Sequence, residues 1–291
     1  MRSRRRGVAY GVFAAICFSF TTPLAKILVG GASPLVLGGL FYFGSGLCTA
    51  LLAIGIPKTL IPNESSIARM DAPWLLCTAV FGGIVAPVLL LIGLPQIPAS
   101  NASLLLNFEM VFTILLAWIV FHEKLNRRFG VGAFAVLIGS MFISWNGVQA
   151  IKDLSSSLFI VAATFSWGID NNLVRKISHR NPLQITGLRG LLAGGFNLLL
   201  GLWLTSNLST WVVLGGLLVG AFCFGVTNVF WLLALRHLGS ARAGSFASLS
   251  PFIGAIISVL LLREAVTLFL LAASLSMAIG VMLLVTEREN P

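Results

Sequence analysis

Residues 98–121 read PASNASLLLNFEMVFTILLAWIVF, a stretch whose one charged group, Glu109, lies near its middle. As a helix rising 1.5 Å per residue it would be about 36 Å long, enough to cross about 30 Å of hydrocarbon. Comparable apolar windows lie on either side of it, near residues 7–29, 34–56, 74–94, 129–145, 156–175, 183–205, 211–235, 240–262 and 265–285, giving ten expected spans. The composition agrees: 57% of the 291 residues are hydrophobic and 10% are charged, where soluble domains carry about 25% charged residues. Only short loops remain, too little for a soluble domain of about 50 residues. A soluble catalytic, nucleotide-binding or nucleic-acid-binding domain is thereby excluded, and the function lies within the membrane. The net charge of +10 does not point to nucleic acid, because the basic residues gather at span ends rather than on one soluble face.

Charge placement sets an orientation. With the N-terminus in the cytoplasm, 15 of the 19 Lys and Arg residues fall on inside segments, Lys26, Lys152 and Arg263 fall outside, and Arg189 lies within a span. This bias, with an even number of spans, predicts both termini in the cytoplasm. The basic start followed by an apolar run to about Val29 imitates a signal peptide, but the run far exceeds the usual core of about 7–15 residues and reads as a retained first span. Cys17, Cys48, Cys77 and Cys223 sit in apolar runs and read as packing groups, not as a disulfide framework.

The two halves of the chain resemble each other. Phe18-Ser19-Phe20 and Ser33-Pro34 recur as Phe165-Ser166-Trp167 and Asn181-Pro182 at offsets of 147 and 148, while Leu94, Ala102 and Glu123 recur as Leu235, Ala243 and Glu264 at 141. The repeats are expected over 1–148 and 149–291. With five spans each, the second copy enters the membrane from the opposite side, an inverted repeat of the kind secondary transporters use. The expected fold is an all-α membrane protein, ten transmembrane helices in two inverted five-helix repeats around a central cavity.

Phe108-Glu109-Met110-Val111-Phe112 with Phe121-His122-Glu123-Lys124-Leu125, and their partners Leu249-Ser250-Pro251-Phe252 with Arg263-Glu264, resemble the drug/metabolite transporter superfamily, EamA type. Met110 stands where that family often has proline. The resemblance implies export or exchange of small metabolites, with spans 1, 3, 4, 6, 8 and 9 lining a cavity and spans 5 and 10 peripheral. The length and aromatic faces look most like the YddG-type aromatic amino-acid exporters, and the implied location is the bacterial inner membrane.

Polar residues inside apolar spans are the candidate site. A charge at the depth of Glu109 costs roughly 2.5–3.5 kcal/mol on insertion scales, so such a group faces a cavity or a partner and suits proton carriage or recognition of an amine. In span 6, Trp167, Asp170 and Asn171 share one helical face as a possible substrate wall. Asp170 can alternatively pair with Arg175 one turn on, or with Arg189 at comparable depth in span 7. Span 8 places Phe224, Asn228 and Trp231 on one stripe, and span 1 places Ser19, Thr22 and Lys26 on another. Asn101 in span 4 and Phe246 in span 9 extend these faces, while Arg242 is expected to snorkel to the interface. Pro23, Pro87 and Pro251 are hinge candidates. Gly190 with Gly194, and Gly216 with Gly220, have the GxxxG spacing of close helix packing, with dimerisation as the other use. Glu123 and Glu264 precede spans 5 and 10 and are expected to cap them.

Other function classes fit worse. His122, His179 and His237 lie at span ends, and the chain contains no HExxH or GxSxG, so an intramembrane enzyme has no imidazole at depth. A channel lacks a filter-like loop, and without a Walker motif the chain hydrolyses no ATP. No cofactor, metal or nucleic-acid partner is expected. Among carriers, nucleotide sugars and other phosphorylated metabolites need several cavity cations, whereas Glu109 would repel them. A zwitterionic or cationic substrate with an apolar or aromatic group fits better, whether amino acid or cationic drug, carried by a monomer or a homodimer.

Overall fold

The structure is a computed structural model that describes residues 2–55, 65–122, 127–144, 150–204, 208–238 and 246–287. Helices follow one another along the chain as rods, several of them broken. α1 (Arg2–Ser19) stops at Phe20 and α2 (Thr21–Leu28) continues the rod. Pro23 has no N–H to offer the Ser19 carbonyl four residues back, which accounts for the break. α3 (Pro34–Gly55) is uninterrupted. The third rod is α4 (Ala72–Thr78), a π-helical segment (Ala79–Val85) and α5 (Ala86–Gly93). The fourth is α6 (Ala99–Leu105) and α7 (Phe108–Phe121), separated by Leu106 and Asn107. Then come α8 (Arg127–Ser144), α9 (Ala150–Ile177) and α10 (Pro182–Leu204). The eighth rod is α11 (Thr210–Val219), a second π-helical segment (Gly220–Val226) and α12 (Thr227–Leu238). α13 (Ser250–Leu262) and α14 (Leu268–Glu287) complete the described residues.

Seven of these rods are long and apolar enough by themselves to cross a bilayer, and α13 is a shorter apolar helix. The distribution of side chains is that of a protein solvated by lipid. Leu51, Ile54, Leu199, Trp203, Leu260, Leu268 and Met282 point outward, while Ser45, Thr49, Thr78, Ser100, Thr164 and Asn197 are buried. Small and hydroxyl residues belong between membrane helices because they let backbones approach and take up stray backbone groups.

The repeat is visible in the backbone. The two π-helical segments begin 141 residues apart, at Ala79 and Gly220. His122 (φ 53°) and Arg263 (φ 55°), again 141 apart, end α7 and α13 in the left-handed conformation. The packing obeys the same exchange of halves. α3 lies along α10 and α8 along α14, each a rod against its own counterpart. α1 packs on α12 as α9 packs on α5, and α9 packs on α7 as α1 packs on α13. The glycines show the register most closely. A β-carbon at Gly46 would come within 2.6 Å of the Leu191 N, and one at Gly194 would overlap the Phe43 backbone. Each of these pairs is the other's counterpart at an offset of 148. Gly132 and Gly280, also 148 apart, face each other between α8 and α14, where a β-carbon on either would come within 2.9 and 2.6 Å of the other's carbonyl oxygen. The GxxxG glycines are thus used within the chain: Gly190 meets Gly46, Gly216 meets Leu40, and Gly220 meets the Phe41 backbone, all on α3.

A side chain at these crossings has backbone to displace. Gly190→Val should lower stability by about 1–3 kcal/mol or more, read as thermal unfolding in detergent. Gly195→Ala, one residue from Gly194 but with open space around it, should leave the transition within about 0.5 kcal/mol of the parent.

Candidate functional site

The site begins with the first π-helical segment. A π turn bonds i to i+5, as the Ala86 N–H does to the Phe81 carbonyl, and the widened helix presents its carbonyls to neighbours. Three successive carbonyls are taken up by side chains from other rods. Ser166 Oγ donates to Phe81 O at 2.7 Å, Trp167 Nε1 donates to Gly82 O at 3.1 Å, and Asn197 Nδ2 donates to Gly83 O at 3.2 Å. The Tyr42 hydroxyl also donates to Gly82 O. α3, α9 and α10 are thereby pinned to one turn of the third rod.

This turn places the charges. Asp170, one turn beyond Trp167 on α9, lies directly against Gly82, where any β-carbon would overlap its carboxylate. Its Oδ2 accepts from Arg189 Nη1 at 2.7 Å, and the two side chains are only 5% and 14% exposed. The guanidinium lies 6.0 Å from the centre of the Tyr42 ring, within cation–π range. The other carboxylate oxygen, Asp170 Oδ1, is buried without a hydrogen-bond partner among the described residues. Of the two ion pairs the sequence allowed Asp170, the one with Arg189 is formed, as α10 brings the guanidinium alongside.

Glu109 joins the same region from α7. The break at Leu106 and Asn107 puts it in the first turn of a new helix, where unpaired N–H groups favour an anion. Asn171 Nδ2 donates to Glu109 Oε1 at 2.8 Å and reaches Thr113 Oγ1 at 3.2 Å, and the Thr113 hydroxyl donates to the Glu109 carbonyl at 2.7 Å. Asn172 Nδ2 completes the contact by donating to Thr113 O and Gly168 O at 3.0 and 2.8 Å. Gly168 makes this approach possible, since a β-carbon there would stand 2.9 Å from Phe112 Cβ. Glu109 interacts electrostatically with both Asp170 and Arg189. Among the described residues it forms no ion pair of its own. With both carboxylates ionised the cluster carries a formal charge of −1.

The other expected residues are placed variously. Trp167 is buried, Asn171 is exposed, and Asn101, Asn228, Trp231 and Phe246 are half-buried. Phe224 is buried in an aromatic group with Phe18, Phe41 and Tyr42 at 6.0, 6.1 and 5.4 Å. Ser19 and Thr22 are buried, and the Ser19 hydroxyl is spent on Ala15 O at 2.6 Å. Lys26 is not in the cluster: its ammonium donates to the carbonyls of Leu94, Pro95 and Ile97 at 2.7, 2.9 and 2.8 Å. Glu264 does not cap its own following helix either, but accepts from the Ala99 and Ser100 N–H groups at the start of α6. Pro23 lies just past the break in the first rod, Pro87 opens α5 beside the π-helical segment, and Pro251 lies in the first turn of α13, just past the turn at Ser248 and Leu249 that separates it from helical residues 246–247. Glu123 and Arg242 lie outside the described residues. Sequence reasoning missed Tyr42, Gly82, Thr113 and Asn197. The signal available was Tyr42, one of two tyrosines in the chain, in the span 34–56.

Two halves related by exchange, apolar outside and with a charged cluster between them, define a membrane transporter. The EamA-like transporter family matches residues 5–145 and again 154–286, and the chain belongs to that family, within the drug/metabolite transporter superfamily. It is 28% identical to an uncharacterised transporter of Methanothermobacter thermautotrophicus, over 94% of this chain and 84% of that one. It is also 28% identical to a probable amino-acid metabolite efflux pump of Salmonella typhimurium, over 62% of this chain and 56% of that one. A solved structure described as "Crystal structure of protein" shares the fold, with a TM-score of 0.68 and 19% identity over 99% of this chain and all of its own. The protein is an integral multi-pass membrane protein that moves small molecules, and not an enzyme.

Removing one member of a buried ion pair strands the other, at a cost of about 3–5 kcal/mol. Arg189→Met should therefore lower the unfolding temperature sharply, and adding Asp170→Asn should restore most of the loss. Additive damage from the two substitutions would show that the pair is not coupled.

Proposed function

We propose that the protein is an exporter or exchanger of small zwitterionic or cationic metabolites, foremost amino acids with apolar or aromatic side chains, working by alternating access. The observation that carries this reading is the imbalance at the site: Asp170 and Arg189 neutralise each other at 2.7 Å, while Glu109 has, among the described residues, only the Asn171 amide as a side-chain partner. A substrate ammonium at Glu109 would bring the cluster to neutrality. The substrate carboxylate would be met by the remaining guanidinium N–H groups or by the amides of Asn101 and Asn228, and its ring by Trp231 or the edge of Trp167. The efflux-pump relative supports an amino-acid metabolite as cargo, in keeping with the resemblance to YddG-type exporters. Phosphorylated substrates fit less well, because Lys26 is committed to three carbonyls and Arg189 to Asp170.

In this reading the chain has ten spans, in halves 1–148 and 149–291, with both termini in the cytoplasm of a bacterial cell and the protein in its inner membrane as a monomer or homodimer. Pro23, Pro87 and Pro251, each beside an irregular turn, would take up the bending between states.

Counterflow in proteoliposomes loaded with unlabelled phenylalanine tests the proposal. Saturable accumulation of labelled phenylalanine is expected with the parent protein, falling at least tenfold in Glu109→Gln. No accumulation by folded parent protein, or unchanged rate and pH dependence in the variant, would overturn the assignment.

A further inference from the structure

Two opposite charges from distant parts of the chain close on one turn. The turn between α5 and α6 runs through a 3-10 segment (Leu94–Gln96), an extended Ile97 (φ −121°, ψ 154°) and Pro98. Two prolines, Pro95 and Pro98, remove donors from it, and its carbonyls turn outward. Lys26, near the end of α2, takes three of them at 2.7–2.9 Å. Immediately after the turn, α6 begins with Pro98 at the capping position, a residue with no side-chain oxygen, and no cap of its own. Glu264, in the turn between α13 and α14, supplies one from outside, taking the Ala99 and Ser100 N–H groups at 2.6 and 2.9 Å. Lys26 and Glu264 also interact with each other electrostatically. Five charge-assisted hydrogen bonds thus tie the tip of the hairpin formed by the third and fourth rods to the first rod and to the loop before α14. This is the end of the bundle away from Arg2.

In the sequence the clamp is only half repeated. The offset of 141 equates Glu264 with Glu123, but the offsets of 147 and 148 equate Lys26 with Leu173 or Val174, which are apolar. Toward that opposite end Asn171 is exposed, with the half-buried Glu109 of mid-span beside it. At the clamped end the helix beneath the turn is closed, with Ala99, Ser100, Ala102, Ser103, Leu104 and Leu105 all buried.

We infer that Lys26 and Glu264 form a latch that holds the hairpin tip of the third and fourth rods shut and biases the transporter toward the state open at the end carrying Arg2. Opening at the other end requires the tip to swing away, which breaks all five bonds together. The latch acts on the conformational equilibrium, and its test needs no substrate, so its failure is separate from failure of the proposed cargo.

Ser103→Cys, one turn below the clamped start of α6, reports the opening. In a chain whose native cysteines are replaced by alanine, its labelling by a membrane-impermeant maleimide is measured from each side in sealed vesicles. Lys26→Met and Glu264→Ala are each expected to raise labelling from the clamped side at least fivefold, with Lys26→Arg, which keeps a donor, close to the parent. If either deletion does not fold, Lys26→Gln and Glu264→Gln keep one donor or acceptor and should give a smaller rise in the same direction. Labelling at the parent rate in folded variants of both positions would overturn the latch.

Discussion

Hydrocarbon offers no hydrogen bonds, so every carbonyl that leaves a helix ladder must find a partner inside the protein. The turn at Phe81, Gly82 and Gly83 meets this constraint with four side chains from three other rods. Much of the site follows from that turn. Widening the third rod there draws Trp167 and Tyr42 together, the approach is tolerated because Gly82 has no β-carbon, and Asp170 is consequently seated where Arg189 can reach it. The charged cluster is the product of a backbone irregularity and the side chains that satisfy it.

The fold is nearly symmetric, while the chemistry is not. Both halves carry a π-helical segment at the same register and a left-handed residue after the fourth rod of the repeat. Around the second segment, however, the neighbours are aromatic: Phe224 packs on Phe41 and Tyr42, and Phe222 lies 6.2 Å from Phe20. Phe20 is the repeat partner of Trp167, and Phe41 that of Arg189. The first segment thus has ionic groups beside it and the second has aromatic ones. In the sequence Lys26 likewise has only apolar repeat partners, Leu173 or Val174.

Much of this was legible in the sequence. The apolar windows located the rods, and the sparse identities at an offset of 141 marked the register at which the π-helical segments and left-handed caps recur. Glu109 was identified by its cost in hydrocarbon, and Trp167, Asp170 and Asn171 by the helical face they share; the structure brings Glu109 and Asn171 into contact. What stayed hidden depends on backbone irregularity. No residue pattern announced the widened turn at Ala79–Val85, so neither Gly82 nor the roles of Tyr42 and Asn197 could be read. Lys26 looked like a substrate ligand because its depth was visible and the carbonyls of a turn 68 residues away were not. Glu264 was expected to cap its own following helix, but a proline at the start of α6 left a vacancy that it fills.

The central claim is that Glu109, beside a self-neutralised Asp170–Arg189 pair, is the group that holds the ligand's positive end. Equilibrium binding of labelled phenylalanine to the purified protein, in competition with phenethylamine, which keeps the ammonium and lacks the carboxylate, tests it most directly. Phenethylamine should displace labelled phenylalanine from the parent protein, and Glu109→Gln should weaken both ligands by tenfold or more while remaining folded. Equal affinity in parent and variant would contradict it.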